Sequence, residues 1–447
     1  MPDTSNVIVV GAGPAGATAA RTLASAGVTV RLLDRSKFPR NKPCGGGISL
    51  RVLKRFPYLE RELSRIATHT VGRLHLEGPG GESTVIESDG PAALMIRRVE
   101  FDALLVDLAR EAGAELEGGV EIVRASTTAS GVVLESRDGR RFEAPIVIAA
   151  DGVHSAIARR LGLNHGWPAT KVALDMMEET PRHELRDVDP STLWVSYGHT
   201  PEDGGTGRTG RKGGTGRTGG TGRKTRADAD EGYAYVFPKR DHVNVGIGYV
   251  LDHYRRAIDV PPYELQRGFV DHLRRRGVME GESMRANFTP FIIPVGGPLK
   301  NPGRGRVLLA GDAGGFVNGF TAEGIYYAMV SGDLAGQAVI ETAKATVNSL
   351  AGRYRRAVRR EIGAELRDSV LIQRYLFSDR RRIAHVITGA PQQPELTRLI
   401  LDFAVGRLSY SSLRWRMLRR LPKVALHLVW GQFKTKFLSR TADAARV

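Results

Sequence analysis

The chain has 447 residues, 41% apolar and 25% charged, which excludes a wholly disordered polymer and allows a core divided into two or three units. One cysteine, Cys44, excludes an internal disulfide and a cysteine-ligated iron–sulfur cluster, and points to a reducing, cytoplasmic setting. The net charge of +17 is local: positions 208–226 carry seven Lys or Arg and 403–442 carry nine, neither with any acid, so the remainder sums to +1 and a broad nucleic-acid groove is not expected.

In chain order, Val7–Val10 is a short apolar run suited to a buried parallel strand. Glycines follow, then a helix over Thr18–Ala26 closed by Gly27, and a second strand over Val28–Leu33 that ends at Asp34. A Pro/Gly-rich loop covers Phe38–Gly47, with a helix from about Ser49. Leu74–Ile86 alternates like a sheet, Glu100–Ala112 has helical spacing, and Pro145–Ala150 is another buried strand. Mixed strands fill 168–295, interrupted by Gly204–Arg226, a Gly/Thr/Arg/Lys tract that repeats TGRTG and has too little apolar surface to fold. It lacks any aromatic residue for base stacking, which argues further against a nucleic-acid partner. Arg306–Ala310 is a last buried strand, a helix starts near Glu323, and 346–447 reads as basic helices. No apolar run reaches the roughly 18 residues of a membrane span, and the amino end reads as a strand, not a secretory signal.

Gly11-Ala12-Gly13-Pro14-Ala15-Gly16 matches G-x-G-x-x-G, and its context gives it weight: a strand before, a helix after, and an acid, Asp34, closing the next strand. Gly11 makes the turn, Gly13 admits a pyrophosphate, and Gly16 permits close helix–strand packing. The helix amino end offers unpaired N–H groups and a positive dipole to the phosphates, while Asp34, followed by Arg35, faces the adenosine ribose. A dinucleotide is therefore expected, and no metal-ligand cluster is.

Later segments narrow the choice. Asp151-Gly152 and Gly311-Asp312, each at a strand end, resemble the "DG" and "GD" motifs of FAD-dependent oxidoreductases with the p-hydroxybenzoate-hydroxylase-like fold. Arg98-Val99-Glu100-Phe101-Asp102 resembles the helix start that lies along the cofactor in those enzymes. Lys42-Pro43-Cys44-Gly45-Gly46-Gly47, then Gly232-Tyr233-Ala234-Tyr235-Val236-Phe237-Pro238-Lys239 with Asn244-Val245-Gly246-Ile247-Gly248, then Gly311–Asn318 with Glu323-Gly324-Ile325-Tyr326-Tyr327, resemble the matching segments of geranylgeranyl reductases. The chain departs from that pattern at Tyr235, where the family commonly has Trp, at Gly319, where it has Pro, and at Ala322, where it has Gly.

The resemblance implies an α/β fold. A discontinuous Rossmann-like FAD-binding domain would span 1–165, with a small sheet near 66–96, and 296–345. A mixed-sheet substrate domain would span 166–295, with a disordered basic insert at 203–230, and a basic helical region would follow at 346–447. It also implies FAD as cofactor, contacted by Gly11, Gly13, Ala15, Gly16, Asp34, Arg35, Cys44, Gly45, Gly47, Arg98, Asp151 and Asp312, with N–H groups of Gly324 and Ile325 near the pyrimidine edge of the flavin. Tyr233, Tyr235 and Phe237, on one strand face, would line the polyprenyl substrate, and Cys44 is a candidate for a direct chemical role. The implied activity is saturation of isolated double bonds in a geranylgeranyl or polyprenyl chain. The alternatives are an aromatic monooxygenase on the same cofactor fold and a membrane-docked flavin electron relay. A single G-x-G-x-x-G turn leaves the electron donor, NADPH or a ferredoxin-like carrier, open. Basic residues interleaved with Trp415, Leu418 and their neighbours suggest that the C-terminal helices dock a cytoplasmic protein on an anionic membrane surface.

Overall fold

A computed structural model describes residues 6–199, 231–258, 260–342 and 349–419. The basic insert expected at 203–230 and the tail beyond 419 lie outside the described residues; 410–419, which lead into that tail, are helical.

Val7–Val10, with all four side chains buried, lies inside a six-stranded sheet. Val30–Asp34 pairs with it in parallel on one side and Ile146–Ala149 on the other. Glu115–Gly118 extends one flank; Val307–Leu309 and the short antiparallel Gly303–Arg304 extend the other. The chain leaves the central strand in one direction and returns from the opposite one, so a topological switch point opens at its carboxyl end, just where the glycine turn sits. Helices Pro14–Ser25, Arg98–Glu111 and Ile325–Thr342 cover one face of this sheet, and an antiparallel meander over 122–144 covers the other. The first and last of these helices meet at glycine: a Cβ on Gly332 would lie 2.0 Å from the carbonyl oxygen of Ala15.

The second layer is a seven-stranded sheet ordered Phe288–Ile293, Ala173–Pro181, His242–Val250, Gly232–Pro238, Thr192–Tyr197, Arg73–Glu77, Ser83–Glu87. Alternation assigns its faces. Met176, Ala234, Val236, Val245 and Ile247 pack under the amphipathic helix Pro262–Arg275 through Leu265, Phe269 and Leu273. Each such buried side chain stabilises by about 1.5–3 kcal/mol. Asp175, Met177, Tyr233, Tyr235 and Phe237 are left on the opposite face of the sheet.

The small sheet expected near 66–96 forms only in part. Thr68–Val71 and Ala93–Ile96 join Gly47–Ser49 in a three-stranded sheet, whereas Arg73–Glu77 pairs in parallel with Thr192–Tyr197 and carries its hairpin into the large sheet. Local alternation cannot reveal a partner more than a hundred residues away. The helix expected from Ser49 begins at Arg51, after the short strand. Beyond Ser349, helices Leu350–Glu361, Gly363–Phe377, Arg380–Gly389 and Pro394–Ala404 wrap the junction of the two layers.

Candidate functional site

The glycine turn closes with no room for side chains. Gly11 has φ +95°, and a Cβ there would lie 2.3 Å from the carbonyl oxygen of Ala150; one on Gly16 would lie 1.8 Å from that of Gly11. Gly13 instead opens onto a cavity of about 850 Å³, with only Arg40 within 4 Å of its missing Cβ. Asp34, Arg35, Arg98 and Asp151 line the same cavity, with Arg40 and Arg159 supplying further positive charge. Asp34 is buried and accepts hydrogen bonds from the N–H groups of Ala12 and Ser36, both at 2.7 Å, so it pins the turn besides facing the cavity. Asp151 accepts from the N–H of Ala156 at 2.9 Å through Oδ2, while its buried Oδ1 has no partner among the described residues. Burial pushes the Asp151 carboxyl up. An extended polyanion with polyol segments fits these features: a glycine floor, a helix amino end, cationic walls and an unsatisfied carboxylate oxygen. Ala15 does not line this cavity; it packs against Gly311 and Gly332.

Farther along, Lys42 reaches Asp312 at 3.4 Å, joining the 38–47 loop to the Gly311–Gly314 segment. Asp312 lies beside Gly324, whose missing Cβ would be 3.9 Å from Oδ1. Gly324 and Ile325 open the helix Ile325–Thr342, where first-turn N–H groups lack intrahelical partners. Ala322, in the same loop, has φ +55°, a conformation that favours the glycine of the resembling family. Arg98 makes a two-pronged bond to Asp102, 2.7 Å at each arm, and Arg40 meets the same fully buried carboxylate at 2.9 Å. Cys44 acts electrostatically on Arg98 as well. The half-buried Cys44 accepts from the Gly46 N–H at 3.4 Å, and its carbonyl accepts from Asn244 at 3.1 Å. A Cβ on Gly45 would lie 3.0 Å from the Phe237 ring, and one on Gly47 would lie 3.6 Å from the same ring and from Met95.

Tyr233, Tyr235 and Phe237 do share one face: successive ring centroids are 6.2 and 4.6 Å apart. Tyr233 donates to the Thr321 carbonyl at 2.7 Å, and Tyr197, Phe320 and Phe377 continue the aromatic lining. Burial raises both tyrosine hydroxyls well above their ordinary value.

Two buried polar groups escaped the sequence reading. Lys239 bonds Glu179, which also takes Arg97 at 2.9 Å. Burial acts to raise the Glu179 carboxyl, but the two cations hold it below the usual range, while burial lowers the Lys239 ammonium. Asp175 lies under the aromatic face, bonded by Tyr235, and burial pushes it up to about 7. In the sequence these were visible only as charged residues within or beside apolar strands; which face they occupy depends on the register of the assembled sheet.

A family profile described as an FAD binding domain matches residues 4–231, just over half of the chain. Digeranylgeranylglycerophospholipid reductase 2 of Methanothermobacter thermautotrophicus is 29% identical over 383 residues, covering 83% of this chain and 87% of the relative. Menaquinone reductase of Mycobacterium tuberculosis is 28% identical over 380 residues, covering 80% and 82%. Among solved structures, a geranylgeranyl bacteriochlorophyll reductase-like protein from Thermoplasma acidophilum superposes with a TM-score of 0.71 at 18% identity, over 96% of this chain and 99% of that one. The fold expected from the sequence is the fold observed.

Proposed function

Because this chain belongs to the FAD-binding domain family and is an FAD-dependent oxidoreductase related to digeranylgeranylglycerophospholipid and menaquinone reductases, we propose that it saturates isolated double bonds of a geranylgeranyl or longer polyprenyl chain. FAD, when bound and reduced, supplies the hydride. The protein supplies position, dryness and charge. In this reading Gly13 and the first turn of the Pro14–Ser25 helix hold the pyrophosphate, Asp34 and Arg35 the adenosine end, and Asp312 the ribityl chain. Arg98 and Asp151 orient the middle of the cofactor. The N–H groups of Gly324 and Ile325 favour negative charge on the reduced ring. Cys44 contacts the flavin, and Tyr233, Tyr235 and Phe237 line the chain.

An isolated alkene offers no polar handle, so its recognition must be apolar contact at a dry surface. The observation that carries the reading is the aromatic face of the large sheet lying directly against the Gly45–Gly47 stretch of the cofactor-side loop. Dithionite-reduced, FAD-loaded protein incubated with geranylgeranyl diphosphate, and separately with dispersed menaquinone, should yield products heavier by one hydrogen pair per double bond reduced. A protein that holds and reduces FAD but leaves every polyprenyl chain unchanged sinks the proposal.

The same reading gives the C-terminal helices an anionic lipid surface as partner. Nine large apolar side chains are exposed among the described residues, and eight of them fall between Leu371 and Leu418. Arg374, Arg381, Arg382, Arg416 and Arg419 are interleaved with them, the mixture an interfacial segment needs. No described helix is long and apolar enough to cross a membrane.

A further inference from the structure

We propose that Tyr235 is the proton donor in double-bond reduction, and that Asp175 is the positioning residue that holds its hydroxyl and restores its proton. The inference rests on the polyprenyl reading above.

Reduction adds two hydrogens to the alkene: the flavin's hydride at one carbon and a proton at the other, which a side chain beside the alkene can deliver. Tyr235 and Asp175 line one pocket together with Tyr233, Phe320 and Phe377. Their contact depends on an absent side chain. Tyr235 pairs with Gly246 on the neighbouring strand, and Asp175 pairs with Gly248 of that same strand from its other side. The two glycines clear a lane across the middle strand. The phenol lies in it, so close that a Cβ on Gly246 would be 2.3 Å from Cζ and 2.4 Å from the hydroxyl oxygen. Through that lane the hydroxyl meets both carboxyl oxygens of Asp175, at 3.1 and 3.3 Å.

The surroundings suit a stored proton. Asp175 is 7% exposed, and among the described residues its environment is burial, the Tyr235 hydroxyl and the N–H of Met176. Tyr233 and Glu231 line the same pocket, Cys44 acts electrostatically on both tyrosines, and Gln373 is the polar residue that the C-terminal helix contributes. The strand Phe288–Ile293 has no titratable residue. Lys239 and Arg97, farther along the face, are engaged by Glu179. Burial accordingly keeps the Asp175 carboxyl protonated up to about 7. In the step, the Tyr235 O–H bond breaks and a C–H bond forms at the second alkene carbon. The phenolate takes the Asp175 proton, and the Asp175 carboxylate regains one from water as product leaves. The two electrons come with the hydride, so charge and atoms balance.

The test uses FAD-loaded full-length protein as wild type, Asp175→Asn, Asp175→Glu and Tyr235→Phe. FAD content and the rate of flavin reduction by dithionite should be unchanged in all four. With geranylgeranyl diphosphate, kcat should fall by roughly 10²-fold or more in Asp175→Asn and Tyr235→Phe, with KM little altered, and Asp175→Glu should recover part of it. The wild-type decline in kcat as pH rises through the Asp175 titration should vanish in Asp175→Asn. Independently of any substrate, infrared difference spectra at about pH 6 should contain a protonated-carboxyl stretch that Asp175→Asn removes. Wild-type kcat and pH profile in either isosteric variant, or an infrared spectrum unchanged by Asp175→Asn, overturns the proposal. If the wild type reduces no polyprenyl chain, the functional reading falls on that result, while the infrared arm alone decides whether Asp175 stores a proton.

Discussion

Asp175→Asn makes a thermodynamic prediction that needs neither cofactor nor substrate. In the native protein the carboxyl titrates at about 7 against an ordinary 3.8, through burial. A raised folded-state value means that the native state binds the proton more tightly. The associated stability is fully present below the unfolded value and is lost as pH rises through the native one. Each unit of pH inside that window costs about 1.4 kcal/mol, easing near the upper end, so wild type should lose about 2 kcal/mol relative to Asp175→Asn between pH 5 and 7. The difference between the two proteins is the quantity to measure. Glu178, also raised to about 7 by burial, tilts both curves the same way, and His253, lowered to about 4, tilts both the other way. Urea midpoints of the two apoproteins at half-unit steps from pH 4.5 to 8, converted with a common slope, give the difference curve. A flat curve would falsify the assignment of a buried, protonated Asp175, whatever the absolute stabilities.

Other outcomes follow from the site. Asp312→Ala should forfeit one or two charge-assisted hydrogen bonds to the cofactor, about 1.5–3 kcal/mol each, and purify largely colourless; full flavin content by absorbance would contradict its role. Ala322→Gly should relieve the left-handed strain at φ +55° and raise the urea midpoint by an equivalent of about 1 kcal/mol, whereas an unchanged or lower midpoint would show that the loop is not strained there. Cys44→Ala should retain FAD and appreciable turnover with a shifted flavin spectrum; complete loss of turnover with flavin retained would make the thiol a reactant. Glu at Arg416, Arg419 and Arg420 together should weaken sedimentation with vesicles containing anionic lipid, and added salt should weaken wild-type binding likewise; indifference to lipid charge would remove the membrane from the account.

What could be read from the sequence was what is written locally. The strand–glycine–helix turn and Asp34 form a motif within about thirty positions, although the contact that excludes a side chain at Gly11 comes from the distant Ala150 carbonyl. The shared face of Tyr233, Tyr235 and Phe237 follows from the two-residue period of a strand. Asp175 was opaque for the opposite reason. Its meaning depends on the register of three strands, with 175 opposite 248 and 235 opposite 246, and no local pattern encodes that alignment. The glycines of Asn244-Val245-Gly246-Ile247-Gly248 were visible as a motif, but their purpose, making room for a phenol to cross a strand, appears only once the sheet is assembled.

The C-terminal helices, the least distinctive part of the sequence, are joined to the loop before the Ile325–Thr342 helix by one buried arginine. Arg51 meets Glu365 at 2.8 Å, the Tyr327 hydroxyl at 2.7 Å and Glu323 at 3.5 Å, and its guanidinium lies 4.6 Å from the Phe403 ring. Glu323, in the loop that precedes Gly324, accepts from the Ser49 N–H at 3.0 Å. Removing one partner from such a buried cluster strands the opposite charge, which typically costs about 3–5 kcal/mol, so these elements hold their relative positions as a unit. The helix Gly363–Phe377 belongs to that unit and has two working faces. Gln373 and Phe377 line the pocket that contains Tyr235 and Asp175, while Leu371, Ile372 and Tyr375 point outward and are exposed. A lipid surface seated on the outer face would therefore lie one helix thickness from the pocket that holds Tyr235 and Asp175, with Arg51 fixing that helix to the loop that carries Glu323.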